Sequence, residues 1–339
     1  MAATPFPRVS VLEHIGAWLP PNAISNQQLT ERLDTSDEWI RRRTGIGQRF
    51  RVTEGMAASD LAVAAGRRAL DAAGDPRVDA VIVTTSTPDH PLPATAPAVA
   101  ARLGLGGVLA FDVAAVCTGF LYGLAVTAGL IANGTAGRIL LIASEVYSSI
   151  IDPDDRATAV IFGDGAAAVV IRAGEAGEPG VLGPVILGSD GGSSDLIQVP
   201  AGGSRQRTSG KPAEPGAEFF RMDGREVFRQ AVHHMAESSR QAVSAAGWRL
   251  ADVDRLAAHQ ANARILAVLA GELEIPAERV LSNIDKVGNT GAASIPLLLE
   301  QSAAEGKLVA GDRVLLTAFG GGLTWGAATM TWPKLSRPT

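Results

Sequence analysis

Four short apolar runs of matching spacing organise the chain. Val78-Asp-Ala-Val-Ile-Val-Thr84 and Val253-Asp-Arg-Leu-Ala-Ala-His259 each follow a helical stretch that closes on Ala-Ala-Gly, at Gly74 and Gly247. Arg138-Ile-Leu-Leu-Ile-Ala-Ser144 and Arg313-Val-Leu-Leu-Thr-Ala-Phe319 make the second pair. Both pairs stand 175 residues apart, as Asp79 and Asp254 or Arg138 and Arg313 show. A shared offset at separated places predicts an internal duplication, each half reading strand, helix, strand, with parallel sheets and right-handed crossovers. The first of these helices is predicted to start on a Ser59 cap. The same step carries Cys117 to position 292, three past Asn289 in Gly288-Asn-Thr-Gly291. A pseudo-twofold axis would therefore set the two strand-to-helix turns face to face. Val113 to Gly137 carries no charge and is long enough to span a bilayer, yet five glycines break it. It is expected as a helix buried between sheets. Ser189 to Gly216, rich in Gly, Ser and Pro, is expected as a surface loop or lid.

Composition narrows the class. With 46% hydrophobic residues among 339, the chain can bury a large core in two domain-sized halves, taken as residues 1–180 and 181–339. One cysteine excludes a disulfide framework and any CxxC site. Met1 to Arg8 lacks the charged-then-apolar order of a signal peptide, which predicts a cytosolic protein. A net charge of −5 argues against nucleic acid or a membrane surface as partner. Adjacent His233 and His234 cannot face one metal from a single helix, and no metal motif is present. Gly163-Asp-Gly165-Ala-Ala-Ala168 fits a dinucleotide fingerprint, but strand-like Val169-Val170-Ile171 follows where a helix is required, so dinucleotide binding is excluded.

The candidate chemistry gathers at three turns. Cys117, in Asp112-Val-Ala-Ala-Val-Cys-Thr-Gly-Phe120, sits where an apolar strand turns into the uncharged helix. Unpaired N–H groups and the helix dipole there favour a nucleophilic thiolate, although a lone cysteine is ordinarily a small buried hydrophobe. His259 ends an apolar strand, a place that suits a hydrogen-bonded structural residue as well as a catalyst. Asn289 precedes a helix through Leu297, Leu298 and Leu299 and reads alone as a turn or cap residue. Gly320-Gly-Gly322 after the last strand either turns the chain or lets backbone N–H groups approach a ligand.

Together these motifs resemble the thiolase-fold condensing enzymes, most closely the β-ketoacyl-acyl carrier protein synthase III family. The resemblance runs from about Val9 to Trp332. It is carried by Asp37-Glu-Trp-Ile40, Arg43-Thr-Gly-Ile46, Ala115-Val-Cys-Thr-Gly-Phe120, Phe162-Gly-Asp-Gly165, His259-Gln-Ala-Asn262, Gly288-Asn-Thr290 and Phe319-Gly-Gly-Gly-Leu-Thr-Trp-Gly326. It implies an α/β thiolase-like fold, duplicated in five αβαβα layers, and a cytoplasmic homodimer. It implies Cys117 as the acyl-accepting nucleophile, with His259 and Asn289 handling the second substrate. The Cys117 and Gly321 N–H groups would form the oxyanion hole. Trp39, Arg43, Arg156 and Asn262 would bind coenzyme A, Leu92 and Phe162 would line the acyl pocket, and Arg225, Arg229 and Arg264 would dock the acidic carrier protein. The implied substrates are acyl-CoA and malonyl-acyl carrier protein, with no permanently bound cofactor.

Residue types separate the relatives. Thiolases use a second cysteine, absent here, and elongating ketosynthases pair theirs with two histidines, where this chain has Asn289. Plant-type polyketide synthases share Cys, His and Asn, but the His259-Gln-Ala-Asn262 setting favours the priming enzyme. Leu92 stands where relatives often carry phenylalanine facing the partner's acyl pocket, which would admit a longer or branched primer. Gly271-Glu272 replaces a basic pair of some relatives. Two other readings stay open: an acyltransferase of the same fold without condensation, and a scaffold whose Cys117 is never acylated.

Overall fold

A computed structural model describes residues 8–335; of the Met1–Arg8 stretch only Arg8 falls within them. Two mixed sheets form the frame. The first runs Val9–Trp18, Gly165–Gly174, Arg138–Glu145, Ala80–Thr84, Leu109–Val113 in spatial order, and the second Arg255–Ala258, Arg313–Gly320, Thr324–Thr331, Leu182–Ser189. Ala80–Thr84 and Arg138–Glu145 are buried along nearly their whole length. Strands covered on both faces need apolar side chains at every position, which is why these runs do not alternate.

The helices complete five layers. Gly119–Ala132 and Ser294–Ala304 lie between the sheets, where Leu121, Leu124, Leu298 and Leu316 join a shared core. Ala58–Ala73 and Ala96–Arg102 cover the outer face of the first sheet, and Gly224–Ala245 with Ala263–Glu272 that of the second. Full burial of a leucine such as Leu124, 1% exposed, contributes about 1.5–3 kcal/mol. No helix among the described residues is long and apolar enough to cross a membrane.

The 175-residue step reappears residue for residue. Ala80 and Arg255, Val116 and Gly291, Gly119 and Ser294, Arg138 and Arg313 each open corresponding elements.

Three expectations are corrected. The sheets are mixed: Arg138–Glu145 pairs antiparallel with Gly165–Gly174 across a long connection, and Arg313–Gly320 antiparallel with Thr324–Thr331, where a three-residue connection permits only a hairpin. The cap of Ala58–Ala73 is Ala57, whose N–H is satisfied by Asp60 at 2.7 Å, and Ser59 lies inside the helix. The uncharged segment is helical only over Gly119–Ala132, after a separate turn, Val116–Thr118. The Ser189–Gly216 segment is largely exposed, with one short 3-10 turn, a two-residue strand and one helical turn.

Candidate active site

The nucleophile's turn is strained. Val116 has φ of 47°, a left-handed conformation that a β-branched residue adopts at a cost of order 1–3 kcal/mol. This forces the chain sharply from strand to helix, and Cys117 keeps partial exposure at the bend. Its sulfur lies 3.8 Å from the Tyr147 hydroxyl. Tyr147 stacks on Phe162 with centroids 4.7 Å apart, and Phe220 meets both rings edge-on.

The thiolate expectation is corrected here. Burial, and then the nearby Glu145 carboxyl, push the Cys117 thiol up to about 12. A low-dielectric site disfavours the charged form, and a neighbouring carboxylate adds repulsion. The resting nucleophile is a thiol.

The second turn packs directly on the first. Val116–Thr118 contacts Gly291–Ala293, and a side chain on Gly119 would meet Ala292 at 3.1 Å. Asn289 lies just ahead, 5% exposed, held by its own N–H to Ile161 O at 3.0 Å and by its carbonyl from Gly163 N–H at 2.9 Å. Its Oδ1 accepts from Gly291 N–H at 2.9 Å, which orients the amide and leaves the Nδ2 hydrogens for a substrate acceptor.

His259 is anchored to the same element. Its Nδ1 lies 2.6 Å from Ser294 Oγ, at the first residue of Ser294–Ala304, and its Nε2 is buried without a partner among the described residues. The Gln260 N–H also reaches Ser294 Oγ, at 3.4 Å. A hydroxyl carries one proton and two acceptor sites, so Ser294 Oγ accepts from Gln260 N–H and holds Nδ1 at the same time. Nε2 faces no protein group, and it carries the ring proton in the tautomer whose Nδ1 accepts from Ser294. Burial holds His259 down at about 4, so it is neutral near pH 7.

The triple-glycine turn closes the site. A Cβ on Gly320 would lie 2.8 Å from the Cys117 nitrogen, so only glycine lets the two backbones approach. Thr324 Oγ1 bonds Thr118 Oγ1 at 2.7 Å and donates to Ala115 O at 3.3 Å, tying this turn to the nucleophile's. Ile197, from the loop expected as a lid, packs on Gly321.

At the surface, Arg156 and Arg43 both lie over the Trp39 ring, at 5.0 and 5.7 Å. Asn262 caps Ala263–Glu272 and donates from Nδ2 to Arg43 O at 3.2 Å, joining the two helices. Arg225 and Arg229 lie on the first turns of Gly224–Ala245, Arg229 paired with Glu226, and Arg264 lies over Phe228 at 6.0 Å. Leu92 stands apart, 85% exposed.

Comparison with known proteins places this arrangement. Residues 111–191 match 3-oxoacyl-[acyl-carrier-protein (ACP)] synthase III, and residues 243–332 match its C-terminal family. A β-ketoacyl-[acyl-carrier-protein] synthase III from Streptomyces coelicolor is 58% identical, over 97% of this chain and 98% of its own. The chain belongs to the β-ketoacyl-acyl carrier protein synthase III family. It is accordingly an acyl-transferring condensing enzyme of the thiolase fold. The crystal structure of the Pseudomonas aeruginosa synthase III superposes with a TM-score of 0.91 at 48% identity, covering 97% of this chain and all of that one. The priming β-ketosynthase of the R1128 polyketide pathway gives 0.91 at 31% identity, covering 99% of each.

Within this synthase III site, sequence reasoning missed Tyr147, Ser294, Glu145 and Arg49. Arg49 is fully buried, bonds Asn26 Oδ1 at 2.8 Å and Val160 O at 2.7 Å, and packs beneath Gly163 and Gly288. Burial pulls its guanidinium down to about 10. Ser294 had a signal, since it stands one duplication step after Gly119.

Proposed function

We propose that Cys117 takes the acyl group of an acyl-CoA and that the acyl-enzyme condenses with malonyl-acyl carrier protein. The observation that carries this reading is the packing of the Cys117 turn on the Gly291–Ala293 turn, with His259 fixed to Ser294 beside it. In the first half-reaction the sulfur attacks the thioester carbonyl, the oxyanion sits on the Cys117 and Gly321 N–H groups, and the thiol proton leaves with coenzyme A. In the second, the malonyl thioester loses carbon dioxide. Charge then grows on its thioester oxygen, where His259 Nε2–H and the Asn289 amide donate. The carbanion attacks acyl-Cys117, the carbon–sulfur bond breaks, the departing sulfur takes up one proton from solvent to restore the thiol, and β-ketoacyl-carrier protein leaves. Apolar walls keep water from the intermediate.

The remaining assignments belong to the same proposal. Trp39 stacks the adenine between Arg43 and Arg156, with Asn262 holding that corner. Arg225, Arg229 and Arg264 receive the acidic carrier protein. Phe162, stacked on Tyr147, backs the acyl pocket. The chain divides near residue 180 into two thiolase-like halves, since the first sheet draws only on residues up to 174 and the second only on residues from 182. A homodimer is supported by Leu109–Val113, an edge strand with a neighbour on one side and an exposed Leu109, and by the bare apolar side chain of Leu92. Both substrates are water-soluble, which suits a cytosolic enzyme needing no resident cofactor.

Intact-mass measurement tests it. Incubation with acyl-CoA should add one acyl group, and malonyl-acyl carrier protein should then remove it with release of carbon dioxide and β-ketoacyl product. Transfer to an alcohol or amine without carbon dioxide would instead favour a non-condensing acyltransferase.

A further inference from the structure

One buried carboxyl beside the nucleophile has no part in these steps. Glu145 ends the strand Arg138–Glu145 and is fully buried. Four groups reach its two oxygens: Ser86 N–H at 3.0 Å, Ser86 Oγ at 3.1 Å, Thr87 Oγ1 at 3.2 Å and Ala292 N–H at 3.4 Å. The Thr87 oxygen already accepts from Val146 N–H at 2.8 Å, so its proton is free for the carboxylate. Through Ala292 the side chain grips the turn that follows Asn289. Its Cγ also packs against Gly291, where an added Cβ would lie 3.2 Å away.

Few charges compete at this junction. Tyr147 and Glu145 are the ionisable groups acting on the Cys117 thiol, and the imidazole of His259, tied to Ser294, is the other one nearby. Gly291–Ala293, Ala80–Thr84, Gly119–Leu121, Gly165–Ile171 and Thr317–Gly320 contribute none. A thiolate and a carboxylate side by side in a dry pocket repel, so ionisation of one suppresses that of the other.

We propose that Glu145 is a positioning residue that holds the Asn289 turn through Ala292 and, once ionised, opposes ionisation of the Cys117 thiol beside it. The proposal rests on the reading of Cys117 as nucleophile. Burial pushes Glu145 up to about 8, so its charge on the thiol acts mainly above that pH.

Glu145→Gln keeps the size and the Oε1 acceptor and removes the charge. Because Cys117 is the only cysteine, alkylation by iodoacetamide followed by mass spectrometry reads its proton state alone. Above about pH 8 the variant should alkylate about tenfold faster or more, the equivalent of one unit in the thiol's titration. Near about pH 6, where the native carboxyl is protonated, the two rates should converge. Superposed profiles overturn the proposal, as does a constant ratio at every pH, which marks general loosening. Ser86→Ala strips one donor from the carboxylate, keeps it protonated to higher pH and should shift the profile in the same direction. A Ser86→Ala profile identical to wild type overturns the proposal even where the glutamine variant does not fold. Failure of the native enzyme to take an acyl group from acyl-CoA would instead defeat the nucleophile reading, and the alkylation comparison would stand.

Discussion

Acid separates a dry His259 from an ordinary one. Its imidazole titrates at 6.5 in an unfolded chain and near 4 in the fold, and the cause is burial. Between those values the unfolded state binds a proton that the native state refuses, so stability present above 6.5 is lost as pH falls toward about 4. The full span corresponds to about 3 kcal/mol, and about 2 kcal/mol is already gone at pH ~5. Other groups titrate in this window, so the test is a difference. Denaturant unfolding of the native protein and of His259→Asn at about pH 7 and 5 should show the native protein losing about 2 kcal/mol more than the variant. The kinetic counterpart is a decarboxylation rate that stays level down to about pH 5, since the imidazole remains neutral over that range. Parallel stability losses in the two proteins, or a rate inflection near 6.5, would refute a desolvated imidazole as the donor.

Further outcomes follow from the geometry. Asn289→Ala should leave acylation by acyl-CoA intact and cut condensation by about 100- to 1000-fold, the usual effect of one lost donor; single-turnover mass spectrometry that finds both halves unchanged removes Asn289 from the mechanism. Trp39→Ala removes the ring held beneath two guanidinium groups and with it one base-stacking face, worth about 1–3 kcal/mol, and should raise KM for acyl-CoA about tenfold with little change in kcat. Steady-state kinetics with an unchanged KM would move the cofactor-like substrate elsewhere. Gly320→Ala drives a methyl into the Cys117 backbone and should depress acylation and condensation together while a fold this large persists; a loss confined to one half-reaction contradicts the shared oxyanion site.

The duplication was legible because strand runs, helix ends and turns each keep their own residue types, and a shared offset ties them together. Cys117, Asn289 and His259 could be picked out for the same reason: each stands where an apolar run breaks. The approach of Arg43 to Trp39 was legible through spacing, as the two are one helical turn apart on Asp37–Thr44. Glu145 and Arg49 were not, because their partners come from segments far along the chain and an isolated charge carries no mark of burial. The proton state of Cys117 was misread for a related reason. The helix terminus is visible in sequence, whereas the carboxyl packed beside it emerges only when two distant turns meet. Strand polarity failed at the same place in both halves, where the strand after Arg138–Glu145 or Arg313–Gly320 returns antiparallel without a crossover helix.

Gly119 and Gly123 have a consequence for how primer size can evolve. Side chains there would collide with Ala292, Thr84 and Leu141, the closest at 2.6 Å, so the helix behind the nucleophile is jammed against its supporting sheet and cannot recede. In the acyl pocket proposed above, a bulkier chain would have to find its room among Tyr147, Phe162 and Phe220, which pack together beside the sulfur. Divergence in primer choice should therefore accumulate in that aromatic triad and leave the anvil under the sulfur untouched.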